Sequence, residues 1–272
     1  MQQIYIWKVV MKNTTNSDNR EGQTAETTAG GENRRVAHNR HVVEAILWCI
    51  GFIVLVAASI IVHFHPGPWP FDLQTTVFVQ HLHLWPWVLA CITFVDLFND
   101  PLPATVALVL WLIVLSLFRW FQAAIFISFG TAIADGIDGL LSTIVGRPRP
   151  HSPLIHVYIP EPFHSFPSGH TEHCVVYYGF LLYLSFTKSV REWRYHWVLL
   201  PFQVFAVLNI LIVGYARVLA GSHWVTDALV GYLSGALLLY LLIALYRWTT
   251  AYLARRLARK QQEHPAQAYS VR

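Results

Sequence analysis

Apolar residues in this chain are gathered into long, nearly unbroken runs separated by short polar stretches. Runs of about 20 apolar residues are what an α-helix needs to cross a ~30 Å hydrocarbon core. Six segments fit that reading: Val43 to Phe64, Pro103 to Phe118, Phe121 to Val145, Thr171 to Thr187, Trp197 to Val218 and Val225 to Tyr246. Between the first two lies a segment rich in Trp and His, Pro66 to Leu97. It is followed by Asn99-Asp100-Pro101-Leu102-Pro103, which reads as a helix breaker after a loop and an interfacial helix. The expected fold class is all-α, a polytopic membrane protein built as a six-transmembrane helical bundle.

Composition agrees, since 55% hydrophobic and 12% charged residues with a mean hydropathy of +0.43 are too apolar for a soluble domain. Three regions are expected. Residues 1–41 form a disordered cytoplasmic tail rich in Thr, Asn, Gly and Glu, residues 42–250 the six-span domain, and residues 251–272 a basic cytoplasmic tail. The first span reads as an uncleaved signal anchor.

Lys and Arg accumulate in short cytoplasmic loops. Arg34, Arg35 and Arg40 precede the first span, Arg119 follows the second, Lys188, Arg191 and Arg194 follow the fourth, and Arg247, Arg255, Arg256, Arg259 and Lys260 follow the sixth. Only Arg147, Arg149 and Arg217 fall on the other side. Topology thus accounts for the net charge of +4, and no nucleic-acid partner is needed. Cys49, Cys91 and Cys174 have no paired spacing and suggest neither a disulfide nor a thiolate metal site.

The three exceptional arginines belong to polar stretches that abut apolar runs. These are Gly146-Arg147-Pro148-Arg149-Pro150, Pro167-Ser168-Gly169-His170, and Arg217 through His223-Trp224-Val225-Thr226-Asp227. Ser168 suits a helix N-cap. In a functional reading, the free N–H groups at that helix start form an anion site, Gly169 lets the backbone approach a phosphate, and His170 projects as a general acid. His223 and Asp227 are four residues apart and, on a helix, would share a face. The carboxylate could then fix the imidazole tautomer and leave the other nitrogen to attack phosphorus.

In order and residue type, the stretches resemble the three signature motifs of the phosphatidic acid phosphatase type 2 superfamily, membrane lipid phosphatases related in fold to vanadium haloperoxidases. The resemblance runs from about Leu140 to Asp227. It implies His223 as nucleophile, His170 as acid, Asp227 as the partner of His223, and Arg149 and Arg217 as phosphate clamps beside Ser168 and Gly169. Arg147 reads equally as a headgroup-facing charge or as a further phosphate contact. The implied reaction is metal-independent hydrolysis of a lipid phosphate through a phosphohistidine, with no cofactor. The bilayer and the lipid phosphate are the expected partners; protein partners are not indicated. Histidine pairs such as His63/His65 and His81/His83 lack the carboxylates or cysteines of a metal site and fit an interfacial role.

Two positions depart from the motifs: Ser142 stands where the family has lysine, and Ala216 where it has serine. The first loses a phosphate-contacting cation and keeps open a weak lipid-phosphate binding or transport protein. Asp135 and Asp138, in the third span, read either as partners of Arg147 or as groups satisfied by neighbouring helices. For a bacterial host, the expected location is the plasma membrane with an outward-facing, extracytoplasmic site. A polyprenyl diphosphate is then the first choice of substrate, with phosphatidate or phosphatidylglycerophosphate as the alternative.

Overall fold

The computed structural model describes residues 23–158 and 160–263. Among these there is no strand, and nine α-helices follow in order: α1 Gln23–Phe64, α2 Pro70–His81, α3 Pro86–Phe98, α4 Pro101–Leu117, α5 Phe121–Val145, α6 Gly169–Ser185, α7 Lys188–Arg191, α8 Leu200–Leu219 and α9 Val225–Glu263. Of the described residues, one compact unit takes in 23–51 and 245–263, and the other lies within Phe52–Ala244. Residues 1–22 and 264–272 of the expected tails lie outside the described residues. From Gln23 the chain is helical, and α9 continues past residue 250 to Glu263. Once the apolar runs nucleate a helix, each added residue costs little, so helix propagates beyond the apolar segment.

Among the described residues, four helical stretches are long and apolar enough to cross a membrane: Asn39–Phe64, Phe121–Val145, His196–Leu219 and Val225–Lys260. A fifth arises if α3 and α4, bent by 73° at the Asn99-Asp100 break, count as one span. By length and composition, the described residues thus account for four or five of the expected six. The difference lies in α6, whose 17 residues extend about 25 Å and fall short of the hydrocarbon thickness. The breaker read from the sequence is present, since Pro101 opens α4 and Asp100, restricted by that proline, is extended at ψ 154°.

Unit Phe52–Ala244 is apolar outside, and its interior combines buried apolar side chains with a cluster of buried ionisable groups. Ile53, Leu102, Leu117, Phe129 and Leu211 are exposed, while Asp72, Arg147, Glu172, Arg217, His223 and Asp227 are buried. That distribution suits a chain solvated by lipid, in which ionisable groups face one another in the interior. The central helix is α6, buried along most of its length and packed on α5 and α8. Helix α9 also approaches α6 closely because Gly231 and Gly235 lie on the contact. A Cβ at Gly231 would lie 2.7 Å from the Ser168 carbonyl, and one at Gly235 would lie 2.8 Å from the Val175 side chain.

Two loops complete the site, 146–168 and 220–224. The first starts where Gly146, at φ 66°, ends α5 in the left-handed conformation. Helix α2 ties the loops together: the Gln80 amide donates to the carbonyls of His156 (2.7 Å) and Leu219 (3.0 Å), and its oxygen accepts from the His156 N–H. Tyr158 N–H adds a bond to Ala220 O at 3.0 Å.

The Gly231 contact yields a test. Gly231→Val should press on the backbone at the start of α6, costing about 1–3 kcal/mol as an overpacked contact. A lower midpoint of thermal unfolding in detergent is the expected result, and a midpoint equal to the parent's would contradict the close approach.

Candidate active site

Helix starts and ends converge on one polar pocket. Arg217 comes from the last turn of α8, His223 from the turn before α9, His170 from the first turn of α6, and Arg149 from the loop after α5. Ser168 occupies the N-cap position of α6, its N–H bonded to Asp227 O at 3.1 Å and its hydroxyl 2.9 Å from Thr171 Oγ1. Gly169 follows, with the Asp138 carboxylate 2.5 Å from where a Cβ would stand. The pocket is therefore also bordered by an acid of α5.

His223 is buried, and its Nδ1 lies 2.7 Å from the Ser165 carbonyl. A carbonyl only accepts, so Nδ1 carries the proton and Nε2 keeps its lone pair. That lone pair faces an Arg149 guanidinium nitrogen at 3.1 Å. Burial, together with the positive charges of Arg217 and Arg149, holds the His223 pKa well below the usual histidine value. The ring is neutral at physiological pH.

The expected bond between His223 and Asp227 is not formed. Helix α9 begins at Val225, so His223 precedes it and four-residue helical spacing does not apply. Asp227 instead accepts from the Trp224 N–H at 3.1 Å, closing the helix start in the manner of a capping box, and from the Ser165 hydroxyl. Its influence on His223 passes through Ser165, whose hydroxyl it holds and whose carbonyl orients the imidazole.

Arg147 is likewise placed differently from a phosphate contact. It is fully buried, with its guanidinium paired to Asp72 at 2.6 Å and to Asp227, bonded to Thr226 Oγ1 at 2.7 Å, and flanked by the rings of Trp69 and Trp224. Two carboxylates satisfy its charge, and it cannot stand in for the missing lysine at Ser142. Asp135 pairs with His173 at 2.9 Å rather than with Arg147.

The two remaining arginines share one carboxylate. Glu161 binds Arg149 through one oxygen at 2.6 Å and Arg217 through the other. Arg149 also donates to the carbonyls of Phe163 and Ser222, both at 2.8 Å, and Arg217 pairs with Asp96 of α3 at 2.9 Å. Burial, reinforced by neighbouring Arg217, lowers the Arg149 pKa to about 10, which still leaves it charged at neutral pH. His170 Nε2 lies 3.4 Å from Asp100 at the α3–α4 break. Glu161, His170 and His223 bring ligand atoms within 4.8 Å of one another, the one such group of metal-capable donors among the described residues. Both Glu161 oxygens are engaged by guanidinium groups, whose permanent charge opposes a cation there.

Two arginines and His170 around a helix N-terminus make a set of donors fitted to a tetrahedral oxyanion, with the His223 Nε2 lone pair beside them. Residues 123–251, which contain all of these groups except Asp72, Asp96 and Asp100, match the sequence model of the PAP2 superfamily. This stretch belongs to the PAP2 superfamily. Phosphatidylglycerophosphatase B of Bacillus subtilis (strain 168) is 33% identical over 116 residues, 39% of this chain and 51% of the relative. The chain thus matches about half the length of that curated relative. Two solved structures share the fold. The transmembrane PAP2 type phosphatidylglycerolphosphate phosphatase from Bacillus subtilis superposes with a TM-score of 0.57 at 20% identity, covering 73% of this chain and 94% of that one. LpxE from Aquifex aeolicus gives 0.50 at 21% identity, covering 65% and 96%.

The sequence motifs thus led to Arg149, Ser168, Gly169, His170, Arg217 and His223 in one pocket of the PAP2 domain. They did not lead to Asp72, Asp96, Asp100, Glu161 or Ser165. For Asp96 and Asp100 a signal was present, since an acid within an apolar segment demands a partner. Glu161 and Ser165 carry no comparable signal, because a loop acid and a loop serine are ordinary.

Two outcomes are expected. Arg147→Ala should destabilise the PAP2 domain by about 3–5 kcal/mol, because it strands two buried carboxylates. Vanadate affinity of the folded fraction should fall less than it does in Arg149→Ala, and a loss as large as that variant's would return Arg147 to the cradle. In an NMR titration the His223 ring, assigned with His223→Gln, should remain neutral as pH falls from 8 through the usual histidine range, since burial disfavours its charged form. Protonation with a midpoint near 6.5 would contradict the buried, arginine-flanked setting.

Proposed function

We propose that this chain is an integral-membrane lipid phosphatase that hydrolyses a phosphomonoester or diphosphate headgroup through a phosphohistidine on His223. The observation that carries this reading is the geometry of His223, whose Nδ1 lies 2.7 Å from a backbone carbonyl while its Nε2 is turned toward the arginine-lined pocket. A nucleophile for phosphorus needs a lone pair so placed.

In the proposed cycle, the phosphate sits between Arg149 and Arg217 with an oxygen at the start of α6. Nε2 of His223 bonds to phosphorus as the bond to the leaving oxygen breaks, and His170 gives that oxygen its proton. Water then attacks the phosphohistidine, passing a proton to the now neutral His170 while the P–N bond breaks. Inorganic phosphate leaves, and both histidines are restored. The arginines stabilise the charge spread over the equatorial oxygens, the main requirement of phosphoryl transfer. Asp227 serves as a positioning residue through Ser165. Every step uses histidine, arginine and water, and the proposed reaction needs no metal or other cofactor.

The favoured substrate is a polyprenyl diphosphate, on the reading that the site faces the extracytoplasmic side of a bacterial plasma membrane, where that product accumulates. Phosphatidylglycerophosphate is the second reading, supported by the names of the two Bacillus subtilis relatives; phosphatidate belongs with it as another phosphomonoester.

Phosphate release by the purified protein from a panel of lipid phosphates tests the reading. His223→Ala should abolish both turnover and the trapped phosphoenzyme. His170→Ala should lower turnover by about 10² to 10⁴, as loss of a general acid does, and most for poor leaving groups. Activity should survive strong chelation and fall with vanadate. Full turnover in His223→Ala, or a chelation loss reversed by a divalent ion, would overturn the mechanism. Binding of lipid phosphates without release would instead favour the binding or transport alternative.

A further inference from the structure

Glu161 rests where the proposed function requires the substrate phosphate. Each of its oxygens binds one of the two clamp arginines, and it lies with His170 and His223 in a group whose ligand atoms are within 4.8 Å of one another. The cradle therefore already contains a planar monoanion with two oxygens. It is carried on the loop between α5 and α6, flanked by Pro160 and Pro162. Any ligand must replace it, and a ligand gains only by what it supplies beyond the displaced carboxylate.

That condition sorts phosphates by class. A phosphodiester carries one negative charge and two free oxygens, as Glu161 does. Exchanging one for the other gives the arginines nothing new, while the incoming molecule loses translational freedom. A terminal phosphate brings a second charge and a third free oxygen, which can reach the N–H groups at the start of α6 or His170. A site at the surface of a lipid bilayer is surrounded by phosphodiester headgroups at far higher local concentration than any phosphomonoester. Rejection of diesters is thus a requirement that two unblocked arginines would meet poorly.

Resting on the phosphatase reading above, we propose that Glu161 is a specificity-determining residue. Its carboxylate fills the anion cradle of the free protein, yields to terminal phosphates of lipids, and holds out the phosphodiesters of the surrounding membrane.

Binding of inorganic phosphate and of dimethyl phosphate to the purified full-length protein, measured by calorimetry and by competition with turnover, tests this. The parent should strongly prefer inorganic phosphate. Glu161→Gln and Glu161→Ala should each bind dimethyl phosphate at least about tenfold more tightly, a change of about 1.4 kcal/mol. The gain for inorganic phosphate should be smaller, so that the ratio between the two ligands shrinks. Vesicles of phosphatidylglycerol should correspondingly inhibit the variants and not the parent. Alanine removes the carboxylate without offering an amide, so agreement between the variants separates loss of the plug from a new hydrogen bond. An unchanged ratio in both variants, or weaker diester binding, would overturn the assignment while leaving the phosphatase reading intact. A parent that neither binds phosphate nor releases it from lipids would overturn that reading itself, and this inference with it.

Discussion

A guanidinium buried between two carboxylates organises the site of this protein. Arg147 pairs with Asp72 from α2 and with Asp227 from the start of α9. Charges taken out of water are costly unless their hydrogen bonds are met. Here the Thr226 N–H and hydroxyl bind Asp72, while the Trp224 N–H and the Ser165 hydroxyl bind Asp227. The positive end of the α9 dipole further favours the two anions. The same residues also bond through their backbones, since the Ser165 N–H donates to Arg147 O and the Ser168 N–H to Asp227 O. One cluster therefore fixes the loop before α6, the cap of α6 and the start of α9. His223, oriented by the Ser165 carbonyl, takes its geometry from that cluster.

The break between α3 and α4 contributes in a different way. Pro101 removes a backbone donor and bars its predecessor from helical geometry, so the chain turns by 73° at a point flanked by apolar helix. Irregular backbone at such a place is tolerated where it meets protein rather than lipid. Asn99 caps the turn and bonds Asn209 of α8 at 2.6 Å. The bend also carries two acids to the pocket, Asp96 onto Arg217 and Asp100 toward His170. An element that reads as a simple interruption of a span is thereby part of the site's electrostatics.

Apolar run length made the helices legible, because the need to bury backbone polar groups in lipid leaves few alternatives. The three polar stretches singled out six residues that the fold brings together, because their residue types and order are specific. Pairing was harder to read. The choice between two roles for Arg147 is decided by Asp72, which lies 75 residues away in sequence. The relation of His223 to Asp227 depends on whether a helix begins before or after His223, and boundaries are the weakest part of any periodicity argument. Helix α6 has the same length, 17 residues, as the apolar run that predicted it, shifted by two positions, and it is buried along most of that length.

Charge balance around the cradle bears on the protonation state that the proposed reaction needs. With Ser142 in place of a lysine, the permanent cations of the cradle are Arg149 and Arg217. They face Glu161 and Asp96 directly, with Asp100 and Asp138 on the border. A dianionic phosphate entering that field gains when Glu161 withdraws, because one positive charge is released and the N-terminal dipole of α6 adds about half a charge more. That is still less than the phosphate carries. His170, at the edge of the cradle and 3.4 Å from Asp100, is the group that supplies the remaining positive charge as the acid of the proposed first step. On this reading the proton later given to the leaving oxygen is already needed to seat the phosphate. The acid of the first step is then also the cation that the chain has in place of its missing lysine.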